Sequence, residues 1–228
     1  MRLTRDNIPG NRTLNKSPHQ AAGESIGTLA AGARITGVTK GQFSLLDLIQ
    51  ATAEQTGPAA LTVSTWSTGI RDTQNLERLI DRGAFTKVSL CLDRSFAGRQ
   101  PKYVEEVIRV WGQENIRMTR NHAKFFMLRN EGWNICVRSS MNLNRNPRLE
   151  QYDLDDNFDL CEFFQDIIDE IFEKMPIGLT RKVDVCDQVF PTLIGGGLSD
   201  QYRPEDLEGW GKDIPVDWGT EIPAAWWK

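Results

Sequence analysis

The amino-acid sequence predicts an α/β fold: a mixed, largely parallel sheet flanked by helices, with an irregular C-terminal extension. Three observations lead there. Between residues 34 and 113, short β-branched runs alternate with segments of helical spacing, an order that lays parallel strands side by side with helices on the sheet faces. Residues 123–137 hold two apolar runs around Arg129-Asn130-Glu131-Gly132, turn chemistry suited to a hairpin. Residues 1–30 and 179–228 carry no sustained apolar period and are rich in residues that favour loops.

Each element has its own signal. Residues 1–30 read as a mobile N-terminal arm, either a basic arm that touches nucleic acid or an ordinary disordered terminus. Residues 34–39 read as a short strand, and 44–52 as a helix capped near Ser44 and ended by Gly57-Pro58. Residues 59–66 have the β-branched content of a buried strand. The spacing of Leu76, Leu79 and Ile80 predicts a helix over 72–80 that stops near Gly83. Residues 87–92 follow as a strand and 101–113 as a helix, with Pro101 in the first turn, where it is tolerated. After 116–119 comes the hairpin. Residues 158–175 give the clearest helix, with Phe163, Phe164, Ile167, Ile168, Ile171 and Phe172 in a broad apolar stripe and its acidic residues on a solvated face.

A chain of 228 residues with 39% hydrophobic content supports one substantial core, so residues 31–178 are expected to form one domain between the two extensions. The net charge of −4 argues against a protein that coats nucleic acid through overall charge. A local basic patch is still open to it, because Arg117, Arg120, Lys124, Arg129, Arg138, Arg145 and Arg148 crowd one region. No apolar run is long enough to span a bilayer and residues 1–6 lack the apolar centre of a signal peptide, so no membrane partner and a cytosolic location are expected. Cys91, Cys136, Cys161 and Cys186 show no paired zinc-type spacing and read as buried free thiols. In the C-terminal extension Gly195-Gly196-Gly197 lacks the context of a phosphate loop. Trp210, Trp218, Trp226 and Trp227 there would either wrap the chain's own surface or anchor a protein partner.

The chemistry concentrates in Asn121-His122-Ala123-Lys124-Phe125-Phe126 and in 138–144. On an extended strand His122 and Lys124 point the same way, while Ala123 and Phe125 are expected to point into packing. Ser140, Asn142 and Asn144 share a parity and would present a hydroxyl and two amides. Imidazole, ammonium, hydroxyl and carboxamide together suit a phosphate. Cleavage of a phosphodiester by a histidine needs an unprotonated imidazole, donors for the non-bridging oxygens and an acid for the departing oxygen. A carboxylate behind the imidazole would fix its tautomer, and Glu150 and Asp153 are the candidates. The scheme requires no metal and no cofactor.

His122-Ala123-Lys124, then Ser139-Ser140-Met141-Asn142-Leu143-Asn144 and Glu150, resembles the phospholipase D superfamily, whose motif is His-x-Lys, a downstream Asp, then Gly-Ser-x-Asn and an acidic residue. The motif covers about thirty residues, and the alternation of strands and helices over 35–175 is similar to one family repeat. The resemblance implies that His122 is the nucleophile and forms a phosphohistidine, that Lys124, Ser140 and Asn142 bind phosphoryl oxygens, and that Glu150 orients His122. The pattern is broken twice, by Arg129 where the family has Asp and by Ser139 where it has Gly. Family enzymes face two motifs against each other. Here the only histidines are His19, in the expected arm, and His122, so the resemblance implies a homodimer with two His122 side chains in a shared site. Single-motif members are typically nucleases, which implies DNA or RNA as partner and Arg120, Arg138, Arg145 and Arg148 as contacts. Overall the chain is also faintly similar to phage-encoded members. The expected activity is a metal-independent nuclease. The competing expectation, drawn from Arg129 and Ser139, is a non-catalytic nucleic-acid-binding or assembly protein of the same fold; a phospholipase is disfavoured because no apolar interfacial segment is present.

Overall fold

A computed structural model describes residues 12–15 and 21–179 of the chain. His19, Cys186, the glycine triplet and the tryptophans of the expected C-terminal extension lie outside the described residues. Among the described residues, eight strands form one sheet in the order β1-β2-β8-β7-β6-β3-β4-β5. In chain order these are β1 (Thr13–Asn15), β2 (Arg34–Thr39), β3 (Ala59–Thr65), β4 (Phe85–Asp93), β5 (Ile116–Thr119), β6 (Lys124–Arg129), β7 (Asn134–Ser139) and β8 (Glu150–Asp156). The sheet is mixed. Pairs β1/β2, β3/β4 and β4/β5 are parallel, whereas β2/β8, β8/β7, β7/β6 and β6/β3 are antiparallel. Only β6 and β8 therefore run against the other six, which is the sense in which the sheet is largely parallel.

Part of the expected arm is structured. Thr13–Asn15 pairs with β2, and Ala22–Ile26 forms helix α1. Three residues are too short to show a period, and their pairing partner lies some twenty residues on. Helix α2 (Leu45–Thr56) begins with a capping box, in which the Ser44 hydroxyl accepts from Asp47 N at 3.3 Å and Asp47 Oδ2 accepts from Ser44 N at 2.7 Å. Helix α3 (Ile70–Asp81) turns Leu76 and Leu79 inward. The helix expected over 101–113 is divided into a 3-10 turn at Pro101–Tyr103, helix α5 (Val104–Trp111) and a second 3-10 turn at Gln113–Asn115. Gly112, with φ of 77°, makes the break. A four-residue helix, α4 (Phe96–Arg99), precedes Pro101.

Helix α6 (Phe158–Lys174) starts where Asn157 Oδ1 accepts from Leu160 N at 2.8 Å. It packs Cys161, Ile168 and Phe164 on Phe125, Met127, Cys91 and Cys136 of the sheet. The Phe125 and Phe164 rings meet at 4.5 Å between centroids, worth about 0.5–1.5 kcal/mol beyond area burial. That contact holds α6 beside the start of β6. The apolar stripe is wider than the sheet covers, because Phe163 and Ile167 are exposed. Cys91, Cys136 and Cys161 are buried free thiols, and burial pushes Cys136 and Cys161 up to about 12. No helix of the described residues is long and apolar enough to cross a membrane.

Candidate active site

The ends of five strands converge on one edge of the sheet. Parallel strands β3, β4 and β7 finish there, with Thr65, Asp93 and Ser139, and the opposed strands β6 and β8 start there, with Lys124 and Glu150. In open α/β sheets this carboxyl edge is where ligands bind. His122 sits in the loop between β5 and β6, exposed, two residues before buried Lys124.

Asn121 fixes that loop. Its side chain, buried, donates from Nδ2 to Ser64 Oγ at 2.9 Å, Cys91 O at 3.2 Å and Thr65 O at 3.3 Å. Its Oδ1 accepts from Ala123 N at 3.0 Å, and its own N–H donates to Asp93 Oδ2 at 3.0 Å. One carboxamide thus ties the histidine loop to the ends of β3 and β4. Because the loop is held from below, His122 is presented outward.

Lys124 Nζ lies 3.1 Å from His122 Nδ1 and donates to His122 O at 2.7 Å. The expected common direction of His122 and Lys124 is therefore found, but Ala123 is exposed and does not pack. Burial pushes Lys124 below the ordinary lysine range, while Glu150 and Asp93 pull in the opposite direction. A charged Lys124 can donate to Nδ1 only in the ring tautomer whose proton is on Nε2.

The second segment reaches the same edge. Ser139 pairs with Lys124 across β7/β6. Asn142 Oδ1 accepts from Thr65 Oγ1 at 3.4 Å, which leaves its Nδ2 donors for a ligand. Asn144 Oδ1 is buried without a partner. Ser140 differs from expectation, since its hydroxyl donates to Glu150 Oε2 and accepts from Gln151 N at 3.0 Å. Glu150, expected behind His122, spends its contact on Ser140 because the two face each other where β7 passes into β8. Asp153, the other carboxylate considered, bonds Thr36 Oγ1 and Arg12 Nη1 instead. A cavity of about 250 Å³ beside Lys124 is lined by Ala123, Phe125, Arg138, Ser139 and Gln151.

The two breaks in the motif have structural occupants. Ser139 Oγ donates to Gln151 O at 2.7 Å and accepts from Met141 N at 2.9 Å, closing the end of β7. Arg129 is at the far end of β6, about 17 Å from Lys124 at strand rise. There it donates to Glu162 Oε1 at 2.6 Å and lies over the Phe158 ring, clamping α6. The four expected nucleic-acid arginines are placed differently from one another. Arg120 and Arg148 are exposed in loops, Arg145 Nε donates to Gly41 O at 2.5 Å, and Arg138 is bound to Asp155 at 2.7 Å. Among the described residues no group of three or more His, Cys, Asp or Glu is placed to hold a metal ion.

Sequence reasoning named Asn121 as the start of the histidine stretch without its anchoring role, and missed Asp93 and Trp66. Trp66 follows β3 directly, and its ring centroid lies 6.0 Å from that of His122. Their only signal was position at the end of a strand.

No family model and no curated protein matches the chain. Among solved structures it is similar to NucT from Helicobacter pylori, with 12% identity, 64% of this chain and 99% of that chain covered, and a TM-score of 0.48. It is also similar to Nuc, a phospholipase D family member from Salmonella typhimurium, with 13% identity, 65% and 99% covered, and a TM-score of 0.45. The likeness is one of chain path, and what the site can do rests on its own side chains.

Proposed function

We propose that the chain is a metal-independent phosphodiesterase of the phospholipase D type, a nuclease that acts on DNA or RNA through a phosphohistidine at His122. The observation that carries this reading is the pair itself: an exposed imidazole held within 3.1 Å of a buried lysine that touches no carboxylate among the described residues. A phosphate oxygen entering the edge competes for the Lys124 ammonium. As Lys124 turns to the phosphate, Nδ1 is released to carry the ring proton and Nε2 becomes free to attack phosphorus. Asn142 Nδ2 supplies a second donor to the developing charge. Glu150, whose carboxylate bonds the Ser140 hydroxyl, would have to exchange that contact to take up Nδ1–H.

The departing oxygen needs a proton, and the described residues of one chain hold a single histidine. A second copy related by a two-fold axis supplies its own His122 as imidazolium. The bond from nitrogen to phosphorus forms, the ester bond to the leaving oxygen breaks, and that oxygen takes the second imidazole's proton. The same imidazole then deprotonates a water that attacks the phosphohistidine, which frees His122. The alternative, a non-catalytic protein of the same fold, drew on Arg129 and Ser139, and both serve structural contacts that leave the reacting groups in place.

The test is cleavage of plasmid and single-stranded DNA or RNA in EDTA beside a His122→Ala variant. Cleavage that persists in EDTA and falls by about four orders of magnitude in the variant is expected. Equal cleavage by both proteins overturns the reading. In gel filtration a dimer is expected, and a strict monomer that still cleaves overturns the shared site.

A further inference from the structure

We propose that Trp66, backed by Arg99, is a stacking platform for the nucleobase adjoining the reacting phosphate, so that the site takes single-stranded nucleic acid in preference to a duplex. The proposal rests on the nuclease reading for the kind of polymer bound.

Trp66 is half-buried, outside the core, and next to the exposed His122. The two rings lie 6.0 Å apart between centroids with their planes at 59°, a wedge and not a closed stack. The guanidinium carbon of Arg99 sits 3.6 Å from the indole centroid. Arg99 is itself anchored, donating from Nη2 to Trp66 O at 3.0 Å and from Nε to Ser95 Oγ at 2.8 Å. The half-buried cation over the indole holds the ring through its quadrupole without filling the wedge. The indole is thus a rigid apolar wall with a positive backing, placed one residue from Thr65, which bonds Asn142.

A polymer whose phosphate rests on Lys124 and His122 must lay an adjoining nucleoside against the wall of the site. Trp66 is the aromatic in that wall. Every base has a π face to offer, so such a platform is tolerant of sequence. A base inside a duplex has both faces covered by its neighbours, so the platform requires an unstacked strand. The Arg99 guanidinium over the indole adds positive charge beside the platform, which favours an anionic chain alongside it.

The experiment measures binding first. The His122→Ala protein, with and without Trp66→Leu, is titrated into a fluorescent single-stranded oligonucleotide, the same strand with abasic residues, and a duplex, followed by anisotropy. Trp66→Leu is expected to weaken the base-bearing strand about tenfold or more, the size of one lost base–aromatic stack, and the abasic strand less than twofold. Trp66→Phe is expected to restore most of the difference. In the His122-containing protein, kcat/KM on the base-bearing strand falls in proportion while the pH profile keeps its shape. Equal loss on base-bearing and abasic strands, no loss on either, or tighter binding of the duplex overturns the platform. Base-dependent binding without any cleavage supports the platform and overturns the nuclease reading. No binding of any strand overturns both.

Discussion

Two groups of cations lie within this sheet, and they are partnered in opposite ways. Around buried Asp155, Arg12 approaches at 2.5 Å, Arg138 at 2.7 Å and Arg34 at 3.2 Å, so every head group ends on a carboxylate. At the start of β6, the single cation Lys124 is more enclosed than these arginines and touches an imidazole and a carbonyl. Glu150 and Asp93 act on it only through the field. The first group has its charge consumed in joining the β1 segment, β2, β7 and β8. In the proposed mechanism the second keeps its charge for an incoming anion. A cation near a motif in sequence is therefore not yet a cation of the site; what its head group touches decides the matter.

The largest expected difference between the two groups is in turnover. Lys124→Ala removes a cation from the developing phosphoryl charge and is expected to lower kcat about 10³-fold, or about 4 kcal/mol, with thermal stability nearly unchanged. Lys124→Arg keeps the charge and is the sharper test. Because burial depresses the lysine, its cation is lost below the pH at which a free lysine would lose it, so kcat/KM declines early on the alkaline side. Arginine does not deprotonate in that range, and the alkaline limb is expected to move upward in the variant. The folding linkage runs the same way. With the folded value below the unfolded one, the folded state binds fewer protons, and stability rises with pH through the window between them. An alkaline limb that ignores Lys124→Arg would sink the assignment of Lys124 to the phosphate.

At the other group the effect is on stability. Asp155→Ala leaves three guanidinium groups without their common carboxylate. The cost is expected at about 2–3 kcal/mol, below the value for a fully buried pair because the arginines keep partial access to water. Urea denaturation measures it, and kcat per folded molecule stays within about twofold of the parent. A large loss of kcat at full stability would show that the two groups are coupled.

The sequence made legible whatever is local. The cap near Ser44, the turn after Arg129 and the stripe of α6 are each written within a few residues. The common direction of His122 and Lys124 is likewise a matter of spacing. What was not legible depends on distant partners. β1 exists through pairing with β2 and through Arg12, whose two carboxylates both lie more than 140 residues away. The strand order, with β8 inserted between β2 and β7, has no local mark. Neither has the meeting of Asn121 with the ends of β3 and β4. Glu150 was read by its place in the motif, but the hydroxyl facing it across the β7/β8 junction decides its contact.

The smallest predicted effect separates the arginines most finely. Arg138 and Arg148 are ten residues apart and both flank the motif, but Arg138 is bound to Asp155 whereas Arg148 is exposed in the loop before β8. If the site binds a polyanion, only a head group free to reach a phosphate should contribute to its salt dependence. Arg148→Ala is expected to weaken single-strand binding two- to fourfold and to reduce the slope of log K against log salt by about one contact. Arg138→Ala is expected to leave that slope unchanged and to cost stability through Asp155 instead. Reversal of the two slopes would mean that nearness in sequence, and not the partner of each guanidinium, tells which cations meet the substrate.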